Sequence, residues 1–166
     1  MDFGSWHCSI ARTLDVVGES WTPLVLRDLH LGVDRFDDLV RDLGISRALL
    51  ARRLDGLVAH GLVRREEYQQ RPVRHRYRLT DAGSALVPAL LAIMAWGDRF
   101  ATAPGGPPVV VHHETCGAAF TPTVCCSACG RPVEAADVRA EPGPGAAAGP
   151  GTRVLAERFA RAAAPR

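Results

Sequence analysis

The side chains best suited to chemistry lie in residues 113–130. There His113-Glu114-Thr115-Cys116-Gly117 is followed by Cys126-Ser127-Ala128-Cys129-Gly130, with nine residues between Cys116 and Cys126. Each unit is a ligand, two spacers, a cysteine and a glycine. That is the spacing of zinc-ribbon knuckles, in which two tight turns each aim two ligands at one tetrahedral ion. The glycines permit the positive φ such a turn needs. His113, Cys116, Cys126 and Cys129 are therefore the expected zinc ligands. Cys125 adjoins Cys126 and can replace it; His112 can likewise replace His113, although the two-residue spacer before Cys116 selects His113. The competing reading is a metal-free hairpin whose cysteines are buried or bridged. Four protein ligands leave no open coordination position, so zinc held this way is structural, stapling a segment of roughly thirty residues too small to hold itself together. No acid–base pair accompanies it, and the chain does not read as an enzyme.

A second concentration of chemistry is cationic. Residues 41–78 hold ten Arg against four Asp or Glu; residues 1–40 hold three Arg against seven acids, and residues 79–166 hold seven of each. The whole-chain net charge of +2 would not suggest a polyanionic partner, whereas this concentration does. The chain contains no lysine and no asparagine, and its richness in Ala, Gly, Pro and Arg has the character of GC-rich coding. Arginine placement, not arginine count, must carry the argument.

The elements that position these arginines are legible from periodicity. Phe36, Leu39, Val40 and Leu43 fall at helical spacing, Gly44 supplies a turn, and Ser46 is a suitable N-cap. A second helix, Arg47 to His60, buries Leu50, Leu54, Leu57 and Val58 and turns Arg47, Ala48, Ala51, Arg52 and Asp55 outward; Gly61 ends it. The period then shifts to two, with Leu62–Tyr68 and Val73–Leu79 as hairpin strands around Gln69-Gln70-Arg71-Pro72. Helix, turn, helix and hairpin in this order make a winged helix-turn-helix, a fold that seats its second helix in the major groove of duplex DNA. Helices are also expected at Ser9 to Val17, at residues 21–31 capped by Ser20, and at residues 81–100 capped by Thr80. Pro88 should kink or restart the last. The fold class is mainly α with a small β-hairpin wing, plus a zinc-ribbon-like appendage.

Three regions follow. Residues 1–102 form the DNA-binding and dimerisation domain, residues 109–139 the appendage behind a linker of residues 103–108, and residues 140–166 a low-complexity tail expected to be disordered. The last helix of the first region, with Leu86, Leu90, Leu91, Ile93, Met94, Trp96 and Phe100, carries more apolar surface than one small domain covers, which points to a homodimer. At 166 residues, 47% hydrophobic and a mean hydropathy of zero, the chain fits a soluble globular protein. No apolar run approaches the ~20 residues of a membrane span, and Met1 to His7 lacks the form of a signal peptide. A cytoplasmic location is expected, where cysteines serve more often as metal ligands or redox centres than as disulfides.

From about Cys8 to Gly97 the chain resembles the HxlR family of bacterial winged-helix regulators. The resemblance rests on Cys8-Ser9-Ile10-Ala11-Arg12-Thr13-Leu14-Asp15-Val16-Val17-Gly18, on Trp21 with Leu26-Arg27-Asp28-Leu29, and on Arg35-Phe36-Asp37-Asp38-Leu39. It continues through Gly44-Ile45-Ser46, Arg53-Leu54, Gly61-Leu62-Val63, Tyr77-Arg78-Leu79-Thr80 and Gly83. Ser9 and Glu19 depart from the residues many members carry, without threatening the fold. The resemblance implies dimers joined through the N- and C-terminal helices, a recognition helix at about residues 46–60, and a wing at about residues 62–79 on backbone or minor groove. Several members use a cysteine at the position of Cys8 to sense oxidants; a small buried interface residue is the plainer role for it. The ribbon-like tail is similar to that of a subset of members.

These readings assign Ser46, Arg47, Ala48, Ala51 and Arg52 to the major groove, with Arg47 and Arg52 aimed at guanine edges. Ser46 and Arg35 position the backbone. Arg53 lies beside the apolar face and has a rival role in a structural ion pair. At the wing, Arg71, Arg74 and His75 meet phosphate or the minor groove, while Tyr77 and Leu79 belong to the core. The expected partner is a double-stranded operator, with a small molecule or oxidant as effector and repression as the commoner outcome. The alternative is a redox- or ligand-sensing adaptor whose metal-binding tail recruits a protein.

Overall fold

The computed structural model describes residues 3–101 and 104–163. Thr102 and Ala103, where the expected first domain ends and the linker begins, lie outside the described residues, as do the first two and last three residues. Four helices come first: α1 (Ser9–Val17), α2 (Thr22–His30), α3 (Phe36–Leu43) and α4 (Arg47–Ala59). Strands β1 (Val63–Gln70) and β2 (Val73–Leu79) form the hairpin, and the short α5 (Asp81–Ser84) leads into α6 (Val87–Phe100). A 3-10 turn at Ala135–Asp137 and helix α7 (Arg153–Ala163) complete the described chain. This is a mostly helical winged helix-turn-helix, and among the described residues no helix is long and apolar enough to cross a membrane.

The caps act where hydrogen-bonding side chains are available. Ser46 Oγ accepts from the Leu49 N–H at 3.3 Å, starting α4, and Gly44 closes α3 at φ 63°. Pro88 falls in the first turn of α6, where its missing N–H costs nothing, so the expected long helix breaks into α5 and α6 around it. Ser20 does not cap α2. The Thr22 N–H closes a turn onto the Glu19 carbonyl and Pro23 sits in the first helical turn, so the helix begins after Trp21.

Leu50, Leu54 and Leu57 of α4 pack with Val25, Leu26 and Leu29 of α2, Leu39 of α3, Ile45, and Val63 and Tyr77 of the hairpin in one core. Val58, assigned to this face from its spacing, is exposed instead, because the narrow stripe of three leucines already fills the contact. The hairpin pairs Val63 with Leu79 through Gln70 with Val73, and a bulge between Glu67 and Gln69 places Tyr68 out of register. An isolated β-bridge extends the edge of β2: the Tyr77 N–H donates to the Asp34 carbonyl at 2.8 Å, and Arg35 bridges to Arg76.

From its sequence the C-terminal segment is expected to be a low-complexity, disordered tail. Its chain turns at Gly143 and Gly149, Thr152 Oγ1 donates to the Ala147 carbonyl at 2.8 Å, and α7 follows. The glycines that signal disorder by composition act here by lacking a side chain: a Cβ on Gly151 would collide with the Trp6 ring. Leu155 and Phe159 of α7 line a groove with His7, Cys8 and Arg12.

Asp28 is buried at 2% exposure, and its Oδ1 accepts from Arg27 Nε at 2.8 Å and Nη2 at 2.6 Å. Burial, outweighing the opposing pull of Arg27, raises its carboxyl above the ordinary range. The folded chain therefore takes up this proton more readily than the unfolded one. The group's contribution to stability is most favourable at acid pH and declines as pH rises from the unfolded value through the raised folded one. Asp28→Asn should consequently gain on the native chain as pH rises across that window, read from urea melts at successive pH values. A constant difference between the two would remove Asp28 as the source.

Candidate nucleic-acid interface

The outward face of α4 and the hairpin tip are where the sequence-derived readers lie. Ala48 and Arg52 are exposed on α4 and Ala51 is half-buried beside them; Arg71 and Arg74 are exposed at the tip and His75 is half-buried below it. Among the described residues Arg52, Arg71 and Arg74 make no ion pair, which leaves three guanidinium groups for an anionic partner.

Most of the arginines that inflate the local charge are engaged. Arg64 Nε stands 2.7 Å from Glu66 Oε1, and Arg76 and Arg78 reach Glu66 Oε2 at 3.2 and 3.4 Å; Arg78 also pairs with Asp34. The hydrogen bond from Arg64, reinforced by the charges of all three arginines, holds the Glu66 carboxyl below its ordinary range. Glu66 is thus a hub at the base of the wing. The strand alternation used to place the hairpin does not reveal it, since Arg76 and Arg78 come from the opposite strand. Arg53 turns inward, 18% exposed, with Nη2 2.7 Å from Glu19 Oε2, the structural ion pair that was its rival role.

Arg47 and Arg35 line one cleft between the start of α4 and the wing, with Phe36, Asp37, Arg74 and His75. Arg47 Nη1 lies 2.7 Å from Asp37 Oδ1, and its guanidinium sits 4.9 Å above the centre of the Phe36 ring. Arg35 lies 5.1 Å from the Tyr68 ring centre, a contact that follows from the bulge and could not be read from sequence spacing. Ser46 Oγ is committed as acceptor to the α4 cap and keeps only its proton to donate. Chemically the surface offers a helix flanked by a cationic hairpin, with one arginine held in reserve on an acidic and aromatic rest.

The expected metal ligands are brought together in pairs. His113 Nδ1 and Cys116 Sγ are 3.4 Å apart, and the Cys126 and Cys129 thiols are in hydrogen-bond contact. The N–H groups of Ala128, and then Cys129, point at Cys126 Sγ and hold its thiol below the ordinary value. Among the described residues no three His, Cys, Asp or Glu side chains converge on one point. Cys8 is a half-buried free thiol at the N-cap of α1.

Comparison with known proteins places this geometry. A family model described as HxlR-like helix-turn-helix matches residues 16–104. The uncharacterized HTH-type transcriptional regulator Rv3095 of Mycobacterium tuberculosis is 47% identical over 137 residues, covering 82% of this chain and 87% of the relative. An alignment that long within 166 residues must cross both cysteine-bearing turns. The crystal structure of PA1607, a candidate transcription factor, superposes with a TM-score of 0.74 at 34% identity, over 85% of this chain and 99% of that one. The redox regulator HypR in its oxidised form matches with a TM-score of 0.54 at 33% identity, over 58% of this chain and all of that one.

If Arg47 is released from Asp37 when a duplex enters, Asp37→Asn should tighten binding to generic DNA, by about two- to fivefold since an exposed pair is worth up to ~1 kcal/mol. Fluorescence anisotropy at low salt measures this. Equal affinity for both chains would mean that Arg47 does not leave its rest.

Proposed function

The chain belongs to the HxlR-like helix-turn-helix family of transcriptional regulators, and from that premise we propose that it binds a duplex operator as a homodimer and acts as a repressor. Residues 1–102 are the DNA-binding and dimerisation unit on this reading. The observation that carries the DNA reading is the placement of the unpaired arginines: Arg52 on the outward face of α4, Arg71 and Arg74 at the wing tip. Arg52 and the released Arg47 read base edges, Ala48 and Ala51 let the helix approach closely, and Ser46 and Arg35 hold the backbone. Arg71, Arg74 and His75 follow phosphate or the minor groove.

Dimerisation is supported by apolar side chains that the chain leaves uncovered. On α1 Ile10 is 72% exposed, and on α6 Ile93, Trp96 and Phe100 are 65%, 62% and 61% exposed. Large exposed apolar side chains on two helices support an association face, and a two-fold dimer sets two recognition helices one turn of duplex apart. Repression follows from a compact dimer occupying its site in place of the transcription machinery.

An oxidant effector is the second reading. HypR is named a redox regulator, and Cys8 sits as a half-buried free thiol at the N-cap of α1. In this reading oxidation at Cys8 alters the α1 face and loosens the operator complex.

Footprinting should find a pseudo-palindrome. On it Arg52→Ala should cost ~1–3 kcal/mol against the matched base and relax discrimination there. Arg74→Ala should weaken all sequences alike and lower the salt slope by about one. Salt-independent binding, or no enriched sequence, would end the operator reading. Trp96→Asp should give a monomer by sedimentation and lose cooperative operator binding. A native chain already monomeric at micromolar concentration would sink the dimer.

A further inference from the structure

We propose that the appendage is an internal two-fold repeat built to hold one zinc ion on His113, Cys116, Cys126 and Cys129, independently of how the winged domain reads DNA. The two cysteine-bearing turns, thirteen residues apart, share one backbone. The His113 N–H donates to the Ala118 carbonyl at 2.9 Å, and the Cys126 N–H to the Arg131 carbonyl at 2.8 Å. The Gly117 N–H returns to the His113 carbonyl at 2.7 Å, and the Gly130 N–H to the Cys126 carbonyl at 2.8 Å. Below the turns the Phe120 N–H donates to the Val111 carbonyl at 3.1 Å, and the Val133 N–H to the Val124 carbonyl at 2.9 Å. The glycines stand at φ 70° and 72°. Unrelated loops do not repeat bond for bond.

The repeat decides the register that the sequence leaves open. His112 and Cys125 occupy equivalent strand positions, bridged to Ala119 and Pro132. Each side chain is engaged with a backbone carbonyl, His112 Nδ1 with that of Gly117 at 3.3 Å and Cys125 Sγ with that of Thr123 at 3.9 Å. His113 and Cys126 are the residues that begin the turns. In a tetrahedral zinc site a nitrogen and a sulfur ligand stand about 3.6 Å apart, from bonds of ~2.0 and ~2.3 Å. The His113 Nδ1 to Cys116 Sγ separation of 3.4 Å is already close to that edge.

The segment also needs a staple. From residue 112 to 141 every residue is exposed except Pro122 and Cys126, which are half-buried. No core holds these hairpins, and a metal that draws the two ligand pairs together supplies what burial does not. Four protein ligands, three of them thiolates, select zinc and make the site structural.

Full-length protein purified without chelator should contain one zinc per chain by elemental analysis. Cobalt(II) replacing it should show the intense visible bands and thiolate charge transfer of a tetrahedral site with three sulfurs. Cys116→Ser and Cys129→Ser should each weaken cobalt binding by at least ~10–100-fold, Cys125→Ser should leave it unchanged, and helical circular dichroism should verify that each variant keeps its winged domain. Zinc well below one per chain with no tetrahedral cobalt spectrum overturns the proposal. So does loss of the spectrum on Cys125→Ser but not Cys126→Ser, or one metal shared by two chains.

Discussion

The hydroxyl of Thr80 joins the three parts of the winged domain on which everything else depends. It donates to the Gly61 carbonyl at 2.6 Å, just past the recognition helix, and accepts from the Gly83 N–H at 3.2 Å, starting α5. Beside it the Thr80 N–H donates to the Leu62 carbonyl, and the Leu62 N–H to the Leu57 carbonyl. The end of α4, the base of the wing and the entry to α6 are thereby held on one residue. Gly83 is required for this closeness, because a Cβ there would run into the Leu62 carbonyl. The α4–wing unit and α6 cannot drift independently while this junction holds.

Around that junction charge is sorted rather than spread. Glu66 gathers Arg64, Arg76 and Arg78 at the base of the hairpin, where they brace the strands, while Arg71 and Arg74 at the tip have no such partner. An arginine-rich strand whose charges were all free would repel itself and recruit polyanions without discrimination. Neutralising the base and leaving the tip free gives the wing a direction. Arg47, resting on Asp37 and Phe36, extends the same economy to the recognition helix.

The helices, turn, wing and core were legible because each rests on local periodicity and caps: Leu50, Leu54 and Leu57, Ser46, Gly44 and Thr80 all act where spacing places them. What stayed hidden depends on neighbours distant in sequence. The bridge at Asp34 and Arg35 carries no alternation of its own and exists only because β2 offers it an edge. The Tyr68 bulge and the partners of Arg47, Arg53 and Glu66 are likewise tertiary facts. Val58 shows the converse, since correct helical spacing still overstates burial when a narrower stripe fills the contact. Composition does not reveal the role of Gly151, where a glycine gives clearance to the Trp6 ring.

A helix apolar on every side is stable in water only when every side is covered, and α6 shows how one small chain distributes that demand. Val87 and Leu90 turn toward α2 and the core. Met94 lies in a groove shared with Val111 and Phe120 of the appendage, and Leu91 in another with Phe120 and Val124. Ile93, Trp96 and Phe100 are left outward. The first face is tied through α5 and Thr80 to the recognition helix, the second follows the appendage, and the third is the surface proposed to meet a second copy. These faces share one rigid rod, so a rotation that improves contact on one must disturb the other two.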